Sequence, residues 1–253
     1  MNKRTRSHSN CEEEDVISNN LEILPVRPLD LKPEPEYHPH LPSIKRNAGS
    51  IILLLGSTAA GKTTCLVNMI ASKHFWGGKK SAFDKIFVYS PSIRVDDTIR
   101  HLQSFCECYD DFKDQYIVDI QNSQLQFPRK EMPKILMVID DAVGMIARNS
   151  MLNKLISRHR HYNISILMSV QHMKSISPVG RNCATNILLF NGYYRFANKK
   201  YSFLHLDIRK NPAKLYSNFT TEINWKKYIP KKTRERINEM MGTDGVEFKE
   251  PLQ

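Results

Sequence analysis

The residues best suited to chemistry lie in one short run. Gly56, Ser57, Thr58, Ala59, Ala60, Gly61, Lys62 and Thr63 together satisfy the pattern GxxxxGK[ST] in full. Small residues in such a run let successive backbone N–H groups turn inward around phosphate oxygens. A helix that begins inside the run adds the positive end of its dipole. Lys62 then reaches the β- and γ-phosphates of a nucleoside triphosphate, and the Thr63 hydroxyl ligates Mg2+. Thr64 completes the expected nucleotide-binding set, and ATP is the expected ligand.

Three further groups accompany this run. The first is the stretch Ile135 to Asp141, ILMVIDD. An apolar strand that ends in acids delivers carboxylates to the C-terminal edge of a sheet, where open α/β folds bind ligands. Asp140 is placed there to hold magnesium, directly or through water, and Asp141 to polarise the attacking water. Two adjacent like charges repel, so a nearby cation makes sense of the pair; the alternative is a strand end with solvated acids. The second group is Ser169-Val170-Gln171, where Gln171 can reach the γ-phosphate or the lytic water, or simply end a strand. The third is Ser157-Arg158-His159-Arg160-His161. Its Arg158 and Arg160 can act on a phosphate in this subunit or in the next one, or belong to a solvated basic turn.

These groups need a scaffold, and the pattern supplies one. The run Ser50 to Leu55 is almost continuously apolar between Gly49 and Gly56, as a strand buried on both faces must be. A helix is expected over 62–72, a strand over 85–89, a helix over 96–106, and strands over 135–139, 164–170, 186–190 and 201–208. Apolar Met151, Leu152, Leu155 and Ile156 give 150–158 a helical face. Strands alternating with helices imply an α/β fold, a mainly parallel sheet flanked by helices, and with the phosphate-loop pattern at 56–63 it resembles the P-loop NTPase type (RecA/ASCE-like). Residues 1–47 are polar and Pro-rich and are expected to form a flexible N-terminal arm. The ATPase domain is placed at 48–210 and a basic C-terminal segment at 211–253.

The combination of GSTAAGKT, IDD, SRHRHYNIS and a strand ending in SVQ resembles the viral genome-packaging ATPases of the FtsK–HerA superfamily, the type found in poxviruses, other large DNA viruses and virophages. The resemblance spans about residues 48–210. It implies that Lys62 and Thr63 bind Mg-nucleotide, that Asp140 and Asp141 are the paired acids, that Arg158 or Arg160 is an arginine finger, and that Gln171 is a polar sensor. Many related motors carry Glu as the second acid, and this chain carries the shorter Asp141. The resemblance further implies a homo-oligomeric ring, double-stranded DNA as the polymer moved, a capsid or vertex protein as partner, and residence in the host cytoplasm, at the virus factory or in the virion.

Composition narrows the alternatives. The 253 residues carry a formal net charge of +11, which favours polyanionic partners such as nucleic acid. Six of the bases, Lys226, Lys227, Lys231, Lys232, Arg234 and Arg236, cluster near the end and are expected to meet DNA phosphates. Five cysteines without a CxxC pair fit neither a disulfide framework nor a zinc site. No signal peptide and no apolar run of membrane-spanning length is visible, which implies a soluble intracellular chain. A nucleotide kinase would need an Arg-rich lid that is not seen, a non-motor switch would lack a trans-acting arginine, and a DNA helicase would share nearly all of these motifs.

Overall fold

The computed structural model describes residues 41, 42, 44, 48–77, 81–141, 149–190, 202–210 and 213–224. Within them lie, in chain order, β1 (Ile51–Leu55), α1 (Lys62–Ala71), β2 (Lys85–Tyr89), α2 (Asp97–Arg100), β3 (Glu107–Tyr109), α3 (Asp114–Leu125), β4 (Ile135–Asp140), α4 (Ser150–Arg158), β5 (Ile164–Val170), α5 (Pro178–Asn182), β6 (Asn186–Phe190), β7 (Phe203–Asp207), β8 (Lys214–Ser217) and β9 (Thr221–Ile223). The strands form one sheet in the order β3-β2-β4-β5-β1-β6-β7-β8-β9. Pairing is parallel from β3 to β6 and antiparallel from β6 to β9.

The apolar runs map onto the middle of this sheet because only there are both faces covered. Every residue of β1, β4 and β5 is buried, whereas β6 and β7 alternate between buried and half-buried. The pleat then sorts side chains by parity. Ile52 and Leu54 of β1 face one core with Leu66, Met69 and Ile70 of α1; Ile51, Leu53 and Leu55 face the other with Leu152, Leu155 and Ile156 of α4. Asn149 caps α4, its side chain accepting from the Leu152 amide at 2.7 Å, a contact typically worth about 1 kcal/mol.

Several expectations shift. The helix expected over 96–106 is only α2 plus a 3-10 turn at His101–Ser104. Ile99 and Leu102 are its buried apolar residues, while Phe105 is 51% exposed, so the apolar face lasts one turn and the chain leaves into β3. The expected strand at 201–208 is β7, and it runs antiparallel to β6. The sheet also continues past residue 210, because β8 and β9 extend it inside the stretch assigned to the basic C-terminal segment. Leu41 and Ile44, assigned to the N-terminal arm, are buried in the core on the α1 face. Residues 1–40 and the basic run Lys226 to Arg236 lie outside the described residues. No described helix is long and apolar enough to cross a membrane.

Candidate nucleotide site

Register and pleat together build the site. β5 lies between β1 and β4, with Asp140 beside Ser169 and Leu55 beside Val170. Leu136 and Val138 of β4 and Leu167 of β5 face the α1 core, so Asp140 and Ser169 point to the side where α1 begins. Just past the strands, the Asp141 amide donates to the Ser169 carbonyl at 3.1 Å and Asp141 turns left-handed at φ 48°. Gln171 donates its Nε2 to Asp141 Oδ1 at 3.3 Å, tying the two strand ends together.

The loop after β1 is shaped by close approach. A Cβ on Gly56 would stand 2.5 Å from Phe190 Cβ on β6, so glycine alone lets the chain pass. Ala59 and Gly61 take left-handed φ values of 59° and 96°. Gly61 occupies the cap position of α1 without a side-chain cap, and the first turn holds no acid. The N–H groups and dipole at this helix start are therefore left for an anion. Lys62 is 8% exposed and donates Nζ to the carbonyls of Gly56 and Ser57, both at 2.9 Å. Burial lowers its pKa, and Asp141 and Asp140 pull it back up.

Asp140 is 2% exposed. Burial pushes its carboxyl up from 3.8 to about 6; the Ser169 hydroxyl works against that rise, and the charge on Asp141 adds to it. A cavity of about 360 Å³ collects these groups. One wall is Thr58, Ala59, Gly61, Lys62, Thr63 and Thr64, and a second is Asp140, Asp141, Ser169 and Gln171. The third wall, Ser92, Asp96 and Thr98, escaped the sequence reading. Its signal was present: in a parallel sheet each loop after a strand opens on the same edge. Asp96 also begins α2 as a side-chain cap, accepting from the Thr98 amide at 2.8 Å.

Among the described residues no three His, Cys, Asp or Glu side chains are grouped to hold a metal by themselves. Magnesium in this kind of site needs few protein ligands, because phosphate and water complete its octahedron. The donors fit it. The Asp140 carboxyl is buried, and burial together with the Asp141 charge raises its pKa more than the Ser169 hydroxyl and the Lys62 charge lower it, so a cation beside it would be favourable. Thr63 and Asp140 line the same cavity.

Arg158 and Arg160 are not brought to this cavity. Arg158 ends α4 and Arg160 sits in the 3-10 turn His159–Tyr162, so both precede β5 at the sheet's N-terminal edge. Gln171 follows β5 at the other edge, a full seven-residue strand away, or roughly 20 Å at about 3.3 Å per residue. The reading in which these arginines act within their own subunit is corrected accordingly. Both are exposed, whereas His159 between them is buried with Nδ1 2.7 Å from the Ile156 carbonyl. Arg209, missed in the sequence, reaches the same edge because β7 runs antiparallel. It donates to the Ala48 carbonyl at 2.8 Å and to the Gly49 carbonyl, and the charge of Arg160 bears on it.

No curated protein matches the sequence. Among solved structures, the chain is similar to the genome packaging NTPase B204 from Sulfolobus turreted icosahedral virus 2 in complex with AMP, at 17% identity over 67% of this chain and 96% of that one, with a TM-score of 0.46. B204, the DNA-packaging ATPase from Sulfolobus turreted icosahedral virus, matches at 14% identity over 67% and 97%, with a TM-score of 0.47. EssC (ATPases 2 and 3) from Geobacillus thermodenitrificans matches at 13% identity over 68% of this chain and 39% of that one, with a TM-score of 0.50. At such identities the likeness concerns the fold, and that fold is the mainly parallel α/β sheet of P-loop ATPases. The model of the poxvirus A32 protein family matches residues 43–195, which include every member of the cavity and both arginines. The chain belongs to the poxvirus A32 protein family and carries the P-loop ATPase fold.

Proposed function

We propose that this protein is an ATP-hydrolysing motor that moves double-stranded DNA into a viral capsid, working as a homo-oligomeric ring. The observation that carries the reading is a division between two edges, within a chain of the A32 family. Lys62, Thr63, Asp140, Asp141 and Gln171 line one cavity at the C-terminal edge, while Arg158 and Arg160 stand exposed at the opposite edge. A site whose arginines face away from it is completed by a neighbour, and a ring supplies one to every subunit.

Each residue then has a task. In the free protein Lys62 is latched to the Gly56 and Ser57 carbonyls. Phosphate entry exchanges those two hydrogen bonds for charge-assisted ones to the β- and γ-phosphates. The N–H groups of Gly61 to Thr63 and the α1 dipole hold the remaining phosphate charge. Thr63 and Asp140 would hold magnesium, which supplies charge neutralisation at the β- and γ-oxygens. Asp141 orients and polarises the attacking water, and Gln171, already bonded to Asp141, fixes that carboxylate and senses the γ-phosphate. Arg158 or Arg160 of the next subunit stabilises charge on the transferring group. Packaging places the ring at a capsid vertex, in the virus factory and in the virion.

A triplex-displacement assay tests the motor reading. With ATP, the protein should strip a third strand from long double-stranded DNA while leaving the duplex intact. Strand separation of the duplex would mark a helicase, and neither outcome would remove the motor.

A further inference from the structure

Exposed apolar side chains and charge divide unevenly between the two edges of the sheet. Among the described residues six large apolar side chains are exposed, and four of them, Phe105, Leu125, Phe127 and Ile208, stand at the edge where the parallel strands begin. Phe105 precedes β3. Leu125 ends α3 and Phe127 follows it, beside the start of β5, since Gln124 donates to the Tyr162 carbonyl. Ile208 follows the antiparallel β7, and its amide donates to the Thr185 carbonyl just before β6. Scattered apolar exposure is normal on a monomer, but four of six at one edge point to a contact surface. Exposed bases stand among them: Arg129 and Lys130 after α3, Arg158 and Arg160 around the end of α4, and Lys210 after β7. None of these five has an ion-pair partner among the described residues. Apolar side chains set among arginines suit a protein partner, whereas DNA phosphates offer Leu125 and Phe127 nothing.

The complementary charge lies elsewhere on the same chain. The whole protein carries +11, yet residues 92–119 hold seven acids and three bases. Each of those bases is already paired, Arg94 with Asp110 at 2.6 Å, Arg100 with Asp97 at 2.8 Å and Lys113 with Asp111 at 3.8 Å. Asp96, Glu107, Asp114 and Asp119 are left in excess. Asp96 and Asp114 follow β2 and β3 at the C-terminal edge, and Val95, 78% exposed, adjoins Asp96. This acidic flank runs directly into the Ser92, Asp96 and Thr98 wall of the nucleotide cavity.

We propose that the two surfaces are the halves of one head-to-tail contact: the basic, apolar N-terminal edge of one copy docks on the acidic 92–119 flank of the next. The proposal rests on the ring reading above and names the surfaces that build the ring. A contact between unlike patches of identical chains does not stop at a dimer; it propagates, and closes into a ring when its rotation allows. Opposite potentials steer the copies together and set their register, while Leu125 and Phe127 supply apolar area. The same docking carries Arg158 and Arg160 of one copy toward the cavity wall of its neighbour. Within one subunit the length of β5 keeps them from it.

The test is a charge exchange on the full chain, read as particle mass in solution with Mg-ATP. Asp110→Lys with Asp114→Lys puts bases on both surfaces; Arg129→Glu with Lys130→Glu puts acids on both. Each variant alone should need about tenfold or more protein than wild type to assemble, because like charges then meet at every contact. An equimolar mixture should assemble near the wild-type concentration, the two variants alternating, since every contact again joins unlike charges. Either variant assembling alone as wild type does overturns the proposal, and so does a mixture that stays apart. An Arg129→Glu, Lys130→Glu variant that assembles normally but loses affinity for double-stranded DNA makes the N-terminal edge a DNA surface and overturns it too. Carbodiimide coupling of wild type needs no variant to fold. In a mixture of 15N-labelled and unlabelled chains it should join Asp110 or Asp114 of one chain to Lys130 of another, whereas the length of α3, about 18 Å, holds Asp114 and Lys130 apart within one chain. Assembled wild type that yields no such link between chains overturns the contact. Wild type that stays monomeric with Mg-ATP overturns the ring reading instead, and the contact with it.

Discussion

Replacing Asp140 with Asn should make the ligand-free protein more stable while disabling it. The Asp140 carboxyl is 2% exposed, and burial raises it from 3.8 to about 6. A folded value above the unfolded one means that the folded state holds this proton more tightly. The neutral form is therefore favourable at low pH, and that contribution is lost as pH rises from about 4 through 6. A gap of about two pH units corresponds to about 3 kcal/mol of destabilisation at pH 8. The Asn amide needs hydrogen-bond partners of its own, which returns about 1 kcal/mol. The net gain of about 2 kcal/mol is about 4–8 °C in Tm for a chain of this length. Thermal unfolding in EDTA, with wild type and Asp140→Asn at pH 4 and pH 8, reads it directly. The variant should melt higher at pH 8 and slightly lower than wild type at pH 4, where only the cost of the amide remains. With saturating Mg-ATP the order should reverse, since ligand at 100 times Kd adds about 2.7 kcal/mol to the protein that binds it. A variant that melts no higher than wild type at pH 8, or higher by the same margin at both pH values, would refute the argument that a buried charge is held there for magnesium.

Three further outcomes are expected. Gly56→Ala places a methyl 2.5 Å from Phe190 Cβ and should lower stability by about 1–3 kcal/mol, measured by urea unfolding, with nucleotide affinity reduced as well. Asp141→Asn should keep Mg-ATP binding within a few-fold in calorimetry and slow phosphate release by about 100-fold or more. Arg158→Ala with Arg160→Ala should bind ATP yet hydrolyse it about 10³–10⁵ more slowly; mixing this variant with Lys62→Ala should restore part of the rate, since each lacks what the other supplies.

The sequence announced the centre of the sheet because β1, β4 and β5 are buried on both faces and so must be apolar throughout. That the loop at 56–63 and the acids at 140–141 would meet was equally legible, since both follow strands of a parallel sheet and so fall at its C-terminal edge, where they line one cavity. The edges were not. β3, β8 and β9 are three or four residues of mixed polarity, held by neighbours rather than by a pattern of their own. The helix α3 escaped because a polar residue fills one of its core positions. Gln124 is 1% exposed and spends its amide on the Pro133 and Tyr162 carbonyls, bracing the turns before β4 and β5. The place of Arg158 and Arg160 at the far edge follows only from strand direction, which the motif spacing does not carry.

The most direct test of the central claim is the steady-state rate of ATP hydrolysis with and without long double-stranded DNA, with Lys62→Ala as the blank and the assembly state followed by mass under nucleotide. The account predicts hydrolysis by an oligomer, a marked rise on adding DNA, and only background turnover from Lys62→Ala, whose γ-phosphate has lost its fixed counter-charge. A wild-type monomer that hydrolyses ATP at one rate regardless of DNA, or a Lys62→Ala variant with near-normal turnover, would contradict it.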